Sequence, residues 1–475
     1  MILLYIAGAL SISVLMFLNR NRNTGRILIA VFILLQWLFT VYTLLNRNVS
    51  QFSFFFSDAL SIITLLVLSI ISVPALLHSY DYIYGEHDNP RTRGLYYGAM
   101  MVLIMALTAA YLSSHIAVTW IFVEITTLSA SALIFHRRKA GSIEATWKYI
   151  FVCSVSLTLV FIGIIFLSIA LGNVNETNLQ YTRLIEVAPK LDVFWLKLSF
   201  LFIFTGYTAK IGLVPMFTAG IDAKDKAPTP CAALFSSVLL NVGFVGIFRF
   251  YTIVAHTSVH SWANLIIITA AFLSIFVATV YMFRLKNIKR MLAYSSIEHM
   301  GILMIGLAAG GIGYYAAILH LVLHSFAKSS MFLQIGHMYK TYNSKEINDI
   351  GNYYHYNTAG GVLLIFSFIA ITAVPPSGLF VSELYIFKSL LTGGYLYILI
   401  PLLILLTMII WAMGSGIFKM LFVPVGEEKT ANTEPVNNLE MMLQYLLLAV
   451  VFYLGLNPPA GFVALINEAV SVLTI

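Results

Sequence analysis

The sequence predicts an all-α polytopic membrane protein of about 14 transmembrane helices, with two inverted five-helix repeats whose seventh and twelfth helices are broken. Three observations carry this. Only 10% of the 475 residues are charged and 60% are hydrophobic, whereas ordinary globular domains carry about 25% charged residues. Apolar runs of about 20 residues, the length that crosses roughly 30 Å of hydrocarbon, recur along the chain. Two of these runs are interrupted by proline next to an ionisable residue.

The runs fall near residues 1–18, 26–45, 55–78, 94–113, 115–135, 147–172, 194–218, 227–255, 262–284, 291–309, 313–337, 359–392, 395–423 and 439–456. The first is expected to be a retained helix, because Arg20, Arg22 and Arg26 follow it and no small-residue cleavage pattern does. On alternating assignment, one side collects Arg20/Arg22/Arg26, Arg91/Arg93, Arg137/Arg138/Lys139, Lys224/Lys226, Arg284/Lys286/Lys289/Arg290, Lys340/Lys345 and Lys419/Lys429. The other shows Arg47, Arg183 and Lys190. Loop lysines and arginines stay inside, so the rich side is expected to be cytoplasmic, in an inner (plasma) membrane, with both termini outside. The formal net charge of +7 is therefore a topology signal, with no nucleic-acid partner expected.

Of the remaining basic residues, Lys148, Lys197 and Arg249 lie near span ends and are expected to snorkel toward headgroups; Lys388 also falls in or beside a span. Glu144 and Lys148 form a local i,i+4 pair. Cys153 and Cys231 sit in apolar stretches without C-x-x-C spacing, so no disulfide framework, iron–sulfur cluster or thiolate zinc site is expected. No Gly-rich phosphate loop is present and no cofactor is expected; the chain has no redox site of its own.

Lys210 lies five residues before Pro215 in the seventh span, and Glu383 seven residues after Pro376 in the twelfth. Proline removes a backbone donor, so each span should break beside its ionisable group. Five spans separate the breaks, an odd number, so units of spans 4–8 and 9–13 would face opposite ways. The expected divisions are residues 1–93 (three N-terminal helices), 94–255 and 262–423 (the two repeats), and 424–475 (a loop and the last helix). Glu124, inside span five, is expected to pair with Lys210. His320, His324 and Lys328 recur every fourth residue of span eleven and share one helical face, a ladder able to pass protons. No acidic third ligand lies on that face, so no metal is expected. Glu298 and His299 are adjacent, point in different directions, and are read as two separate contacts.

Lys210-Ile-Gly-Leu-Val-Pro215, Ala227-Pro-Thr-Pro230, Ala293-Tyr-Ser-Ser296 and His320/His324/Lys328 resemble the signature of the antiporter-like subunits of respiratory complex I, Mrp antiporters and membrane-bound hydrogenases. The resemblance spans roughly residues 95–425. Trp147-Lys148-Tyr149-Ile-Phe-Val-Cys153 and Ser296-Ile-Glu298-His299-Met-Gly301 are most similar to the hydrogenase-4 component F group. The family implies a half-channel in each repeat joined by a central polar axis. Glu124 and Lys210 would form the fifth- and seventh-helix pair, Lys328 the central lysine, and Glu383 the terminal proton carrier. Where many relatives place a histidine after Ala-Pro-Thr-Pro, this chain has Ser236, with Asn241 the nearest polar residue further along, and Phe217-Thr-Ala-Gly220 replaces a Trp-Leu-Pro stretch. The long lateral helix that some relatives carry is not expected.

The resemblance implies a proton-translocating subunit of a redox complex of the hydrogenase-4, formate–hydrogen lyase or NADH–quinone oxidoreductase type. Its partners would be other membrane and hydrophilic subunits and the lipid bilayer, with protons, or sodium, as the cation. The alternative is the membrane subunit of an inorganic-carbon (DAB-type) uptake system energised by cation flux.

Overall fold

The computed structural model describes residues 1–84, 89–424 and 437–473, so Lys429 lies outside the described residues. Helices dominate, joined by one two-stranded antiparallel hairpin, β1 (Ser50–Gln51) with β2 (Phe55–Phe56). In chain order the helices begin with α1 (Ile2–Leu18), α2 (Arg22–Leu45), α3 (Ala59–Tyr84), α4 (Pro90–Leu112), α5 (Ile116–Phe135) and α6 (Ala140–Gly172). Next come α7 (Tyr181–Val187), α8 (Val193–Ile211), α9 (Thr218–Lys226), α10 (Thr229–Ser236), α11 (Val238–Ala255), α12 (His260–Met282), α13 (Ile288–Ala309) and α14 (Ile312–Tyr342). The last are α15 (Tyr353–Tyr356), α16 (Thr358–Ile371), α17 (Gly378–Thr392), α18 (Leu396–Phe422), α19 (Asn438–Leu456) and α20 (Ala460–Ser471). Among the described residues, 11 helices are long and apolar enough to cross a membrane. The chain is a multi-pass integral membrane protein.

Local chemistry sets the helix ends. Asn21, Asn89, Asp192, Asn287, Ser377 and Asn437 each accept a backbone N–H at the start of α2, α4, α8, α13, α17 and α19, satisfying donors that the helix cannot. Both expected breaks are present. Helix α8 stops at Gly212, whose φ of 85° is the left-handed cap that glycine tolerates, and the chain resumes as α9 after Pro215. The twelfth span parts between α16 and α17, at Pro375-Pro376, and restarts on the Ser377 cap. The eighth span, read from the sequence as continuous, is interrupted at Ser237. There the Ser236 and Ser237 hydroxyls donate to the Ala232 and Ala233 carbonyls, competing with the helix ladder.

The chain forms two compact units: residues 1–231, 238–266 and 464–475 make the first, and residues 232–237 and 267–463 the second. In the first, α6 and α8 approach closely across glycine: a Cβ on Gly206 would lie 2.4 Å from the Ser156 carbonyl oxygen. Helix α11 likewise meets the end of α8, where a Cβ on Gly243 would lie 2.5 Å from the Ile211 nitrogen. Arg249 of α11 does not snorkel as expected. It is buried, and its guanidinium donates to both Asp58 carboxylate oxygens, to Ser61 Oγ and to the Tyr111 carbonyl, tying α11 to the starts of α3 and the end of α4. In the second unit, α14 is the hub, packed by α13, α16, α17 and α19. Its membrane-length window is buried throughout, so the polar groups it carries face protein.

Candidate functional site

In the first unit, Lys210 sits in the last turn of α8 and is 3% exposed. Its ammonium donates to Thr127 Oγ1 at 2.7 Å and Thr126 Oγ1 at 3.4 Å. Both hydroxyls spend their own protons on the Val123 carbonyl, which leaves oxygen lone pairs for the lysine. The Tyr149 ring lies 5.6 Å from Nζ, and the C-terminal end of α8 places helix carbonyls beside the charge. Glu124, just before these threonines on α5, is half-buried, and its Oε2 has no hydrogen-bond partner among the described residues. It bears on Lys210 electrostatically but makes no ion pair with it among the described residues. The expected direct contact is thus replaced by two hydroxyls. Thr126 and Thr127 were missed because threonine is ordinary in a membrane helix.

In the second unit, His320, His324 and Lys328 line one face of α14 and are fully buried. Two neighbouring helices complete the array. From α13, His299 Nδ1 lies 3.1 Å from His320 Nε2, and its ring centroid is 5.0 Å from that of His324. From α17, Ser382 Oγ lies 2.9 Å from His320 Nδ1, and the Glu383 carboxylate comes within 4.8 Å of the His299 and His320 ring nitrogens. Glu298 Oε2 is 3.8 Å from His299 Nε2 and accepts from Ser295 Oγ, while Lys328 Nζ donates to the Leu292 carbonyl at 3.0 Å.

Ser382 Oγ lies 2.9 Å from both the Leu379 carbonyl and His320 Nδ1. With its hydroxyl proton on Leu379, His320 Nδ1 donates to Ser382 and Nε2 carries the lone pair. A proton on His299 Nδ1 then bridges the two rings. Glu298 and His299, read from the sequence as separate contacts, belong to one cluster. The Tyr-Ser-Ser-Ile-Glu-His stretch was the available signal.

Lys224 was placed among loop cations, yet on α9 it is 3% exposed and makes no hydrogen bond or ion pair among the described residues. Burial pushes its ammonium down from 10.5 to about 7. Below that value the folded chain carries a buried charge at full cost. Between about 7 and 10.5 the unfolded chain binds more protons, so stability rises with pH. Lys224→Met should therefore raise the thermal midpoint in detergent at about pH 6, with the gain shrinking to nothing near the lysine's ordinary range. A gain independent of pH would show that the lysine is not buried as a cation.

Residues 113–410 match the family described as NADH:quinone oxidoreductase/Mrp antiporter, transmembrane. The hydrogenase-4 component F homolog of Methylacidiphilum infernorum is 30% identical over 444 residues, covering 89% of this chain and 91% of that one. NADH-quinone oxidoreductase subunit N of Moorella thermoacetica is 26% identical, covering 83% and 81%. The fold matches a chain of the archaeal membrane-bound sulfane sulfur reductase with a TM-score of 0.88 at 21% identity, over 99% of this chain and 97% of that one. A chain of the Mrp complex from Dietzia matches at 0.87 and 15%, with the same coverage. With its buried lysines, histidines and carboxylates beside two broken helices, the chain belongs to the transmembrane NADH:quinone oxidoreductase/Mrp antiporter family and is an antiporter-like membrane subunit.

Proposed function

We propose that this chain translocates protons as a subunit of an energy-converting redox complex of the hydrogenase-4 or NADH–quinone oxidoreductase type, assembled with other membrane and hydrophilic subunits. The observation that carries the reading is the buried array of the second unit: Lys328, Glu298, His299, His324, His320 and Glu383 gathered from α13, α14 and α17. Intramembrane ionisable groups are expensive and mark pathways. A proton taken up by His320 Nε2 lies on the ring that faces both His299 and Glu383, so the imidazole can receive it from one helix and release it toward the other. Glu383 follows the α16–α17 break, where interrupted backbone can admit water. Each proton moved with or against the membrane potential is worth about 2.3 kcal/mol per 100 mV, which is what couples the path to a redox partner.

The basic loops support an orientation with Arg22, Arg138 and Lys286 on the cytoplasmic side and both termini outside, in the plasma membrane. Cysteines introduced at these three positions, in a chain lacking Cys153 and Cys231, should label only from the cytoplasm. External labelling at two of them reverses the orientation.

Lys210, held by Thr126 and Thr127 with Glu124 acting through space, forms the corresponding site of the first unit. Glu124→Gln and Lys210→Ala should each reduce proton pumping in the host complex by at least tenfold while the complex still assembles. Normal pumping in both variants would remove the pair from the pathway.

For Glu383 the expectation separates charge from position. Glu383→Gln should lose most proton translocation and Glu383→Asp keep a substantial part, with electron transfer under uncoupled conditions falling far less in both. An assembled Glu383→Gln complex that pumps fully would exclude the residue from proton release.

A further inference from the structure

The α14 face by itself offers two histidines and no acid, but the fold brings the missing acid from α17 and a third imidazole from α13. His299 Nδ1, His320 Nε2 and a Glu383 carboxylate oxygen all lie within 4.8 Å of one another. Tetrahedral zinc holds imidazole nitrogen at about 2.0–2.1 Å and carboxylate oxygen at about 2.0–2.2 Å, so two ligand atoms around one ion stand about 3.3–3.5 Å apart. The imidazole pair is already at 3.1 Å. Binding requires the Glu383 carboxylate to move in and close the remainder.

The outer partners suit a metal site as well. A ligating histidine usually donates its other ring N–H to a fixed acceptor, often a carboxylate. His320 Nδ1 lies 2.9 Å from Ser382 Oγ, a contact that orients the ring with Nε2 toward the cluster. His299 Nε2 faces Glu298 Oε2 at 3.8 Å, and the Ile371 backbone is a further acceptor for this ring once Nδ1 turns to a metal. Glu383 itself receives no hydrogen bond or ion pair among the described residues and is 6% exposed. Glu298 and Glu383, once a bound ion draws off their protons, offset a dication beside Lys328.

We propose that His299, His320 and Glu383 form a binding site for a borderline divalent transition ion such as zinc, with Ser382 and Glu298 orienting the two imidazoles. The ion takes the position through which the bridging proton passes, and so blocks it. Binding stands on the geometry alone; the block rests on the proton-pathway reading.

The test is equilibrium dialysis of the purified full-length chain in detergent against zinc, with metal counted per chain and ligands read by X-ray absorption at the zinc edge. One tightly held zinc per chain, bound by two imidazoles and oxygen, is expected. His320→Gln and Glu383→Gln should lose it, and Ser382→Ala should weaken it by about 10–100-fold while leaving the ligands in place. Glu383→Asp should keep the ion. His256 and His260, four residues apart, are the competing location, so His260→Ala should change nothing. No stoichiometric zinc in the wild type, fewer than two imidazoles, or unchanged binding in His320→Gln overturns the proposal. Proton conduction by the host complex in liposomes is measured alongside. Zinc bound at these ligands with conduction intact would remove them from the pathway and leave the metal site standing, whereas conduction without zinc binding does the reverse.

Discussion

A buried ammonium or imidazole must find its hydrogen bonds within the protein, because burial strips the solvation that water gives a charge. That constraint organises both units. Lys210 is held by two threonine hydroxyls, a tyrosine face and the end of its own helix. Arg249 spreads its donors over Asp58, Ser61 and a backbone carbonyl. Lys328 takes the Leu292 carbonyl. In each case the polar group sits where a helix starts, ends or passes a neighbour closely enough for backbone oxygen to serve. Glycine makes the close passage possible at α6–α8 and α11–α8, and again where Gly378 and Gly455 bring α17 against α19.

The two sites answer the constraint differently. In the first unit a lysine and a carboxylate stand near each other without an ion pair among the described residues, each with its own surroundings. In the second, imidazoles from two helices touch at 3.1 Å, with Ser382 Oγ beside His320 Nδ1. A direct imidazole pair offers a single shared position between two lone pairs, and whatever cation fills it governs the cluster.

Helix breaks do more than interrupt the ladder. At α8 the left-handed Gly212 ends the helix two residues after Lys210, so the charge lies at the negative end of the helix dipole. At the twelfth span, Ser377 restarts α17 so that Ser382 and Glu383 emerge in its second turn, the first beside His320 and the second without a hydrogen bond or ion pair among the described residues. Both placements follow from where the chain stops being helical.

The sequence by itself determined the membrane-spanning helices, the two breaks and the common face of His320, His324 and Lys328. These properties are local: apolar length, proline and a four-residue period act within one segment. It also carried the family resemblance that the full-length comparisons bear out. What stands across from a helix face was decided only by the tertiary structure. His299 comes to His320 from 21 residues away, Ser382 from 62, and Thr127 to Lys210 from 83. Lys224 and Arg249 were misplaced for the same reason, since nearness to a span end says nothing about which neighbour covers it. Periodicity names the face that a helix turns inward; packing among distant segments chooses the groups that meet it.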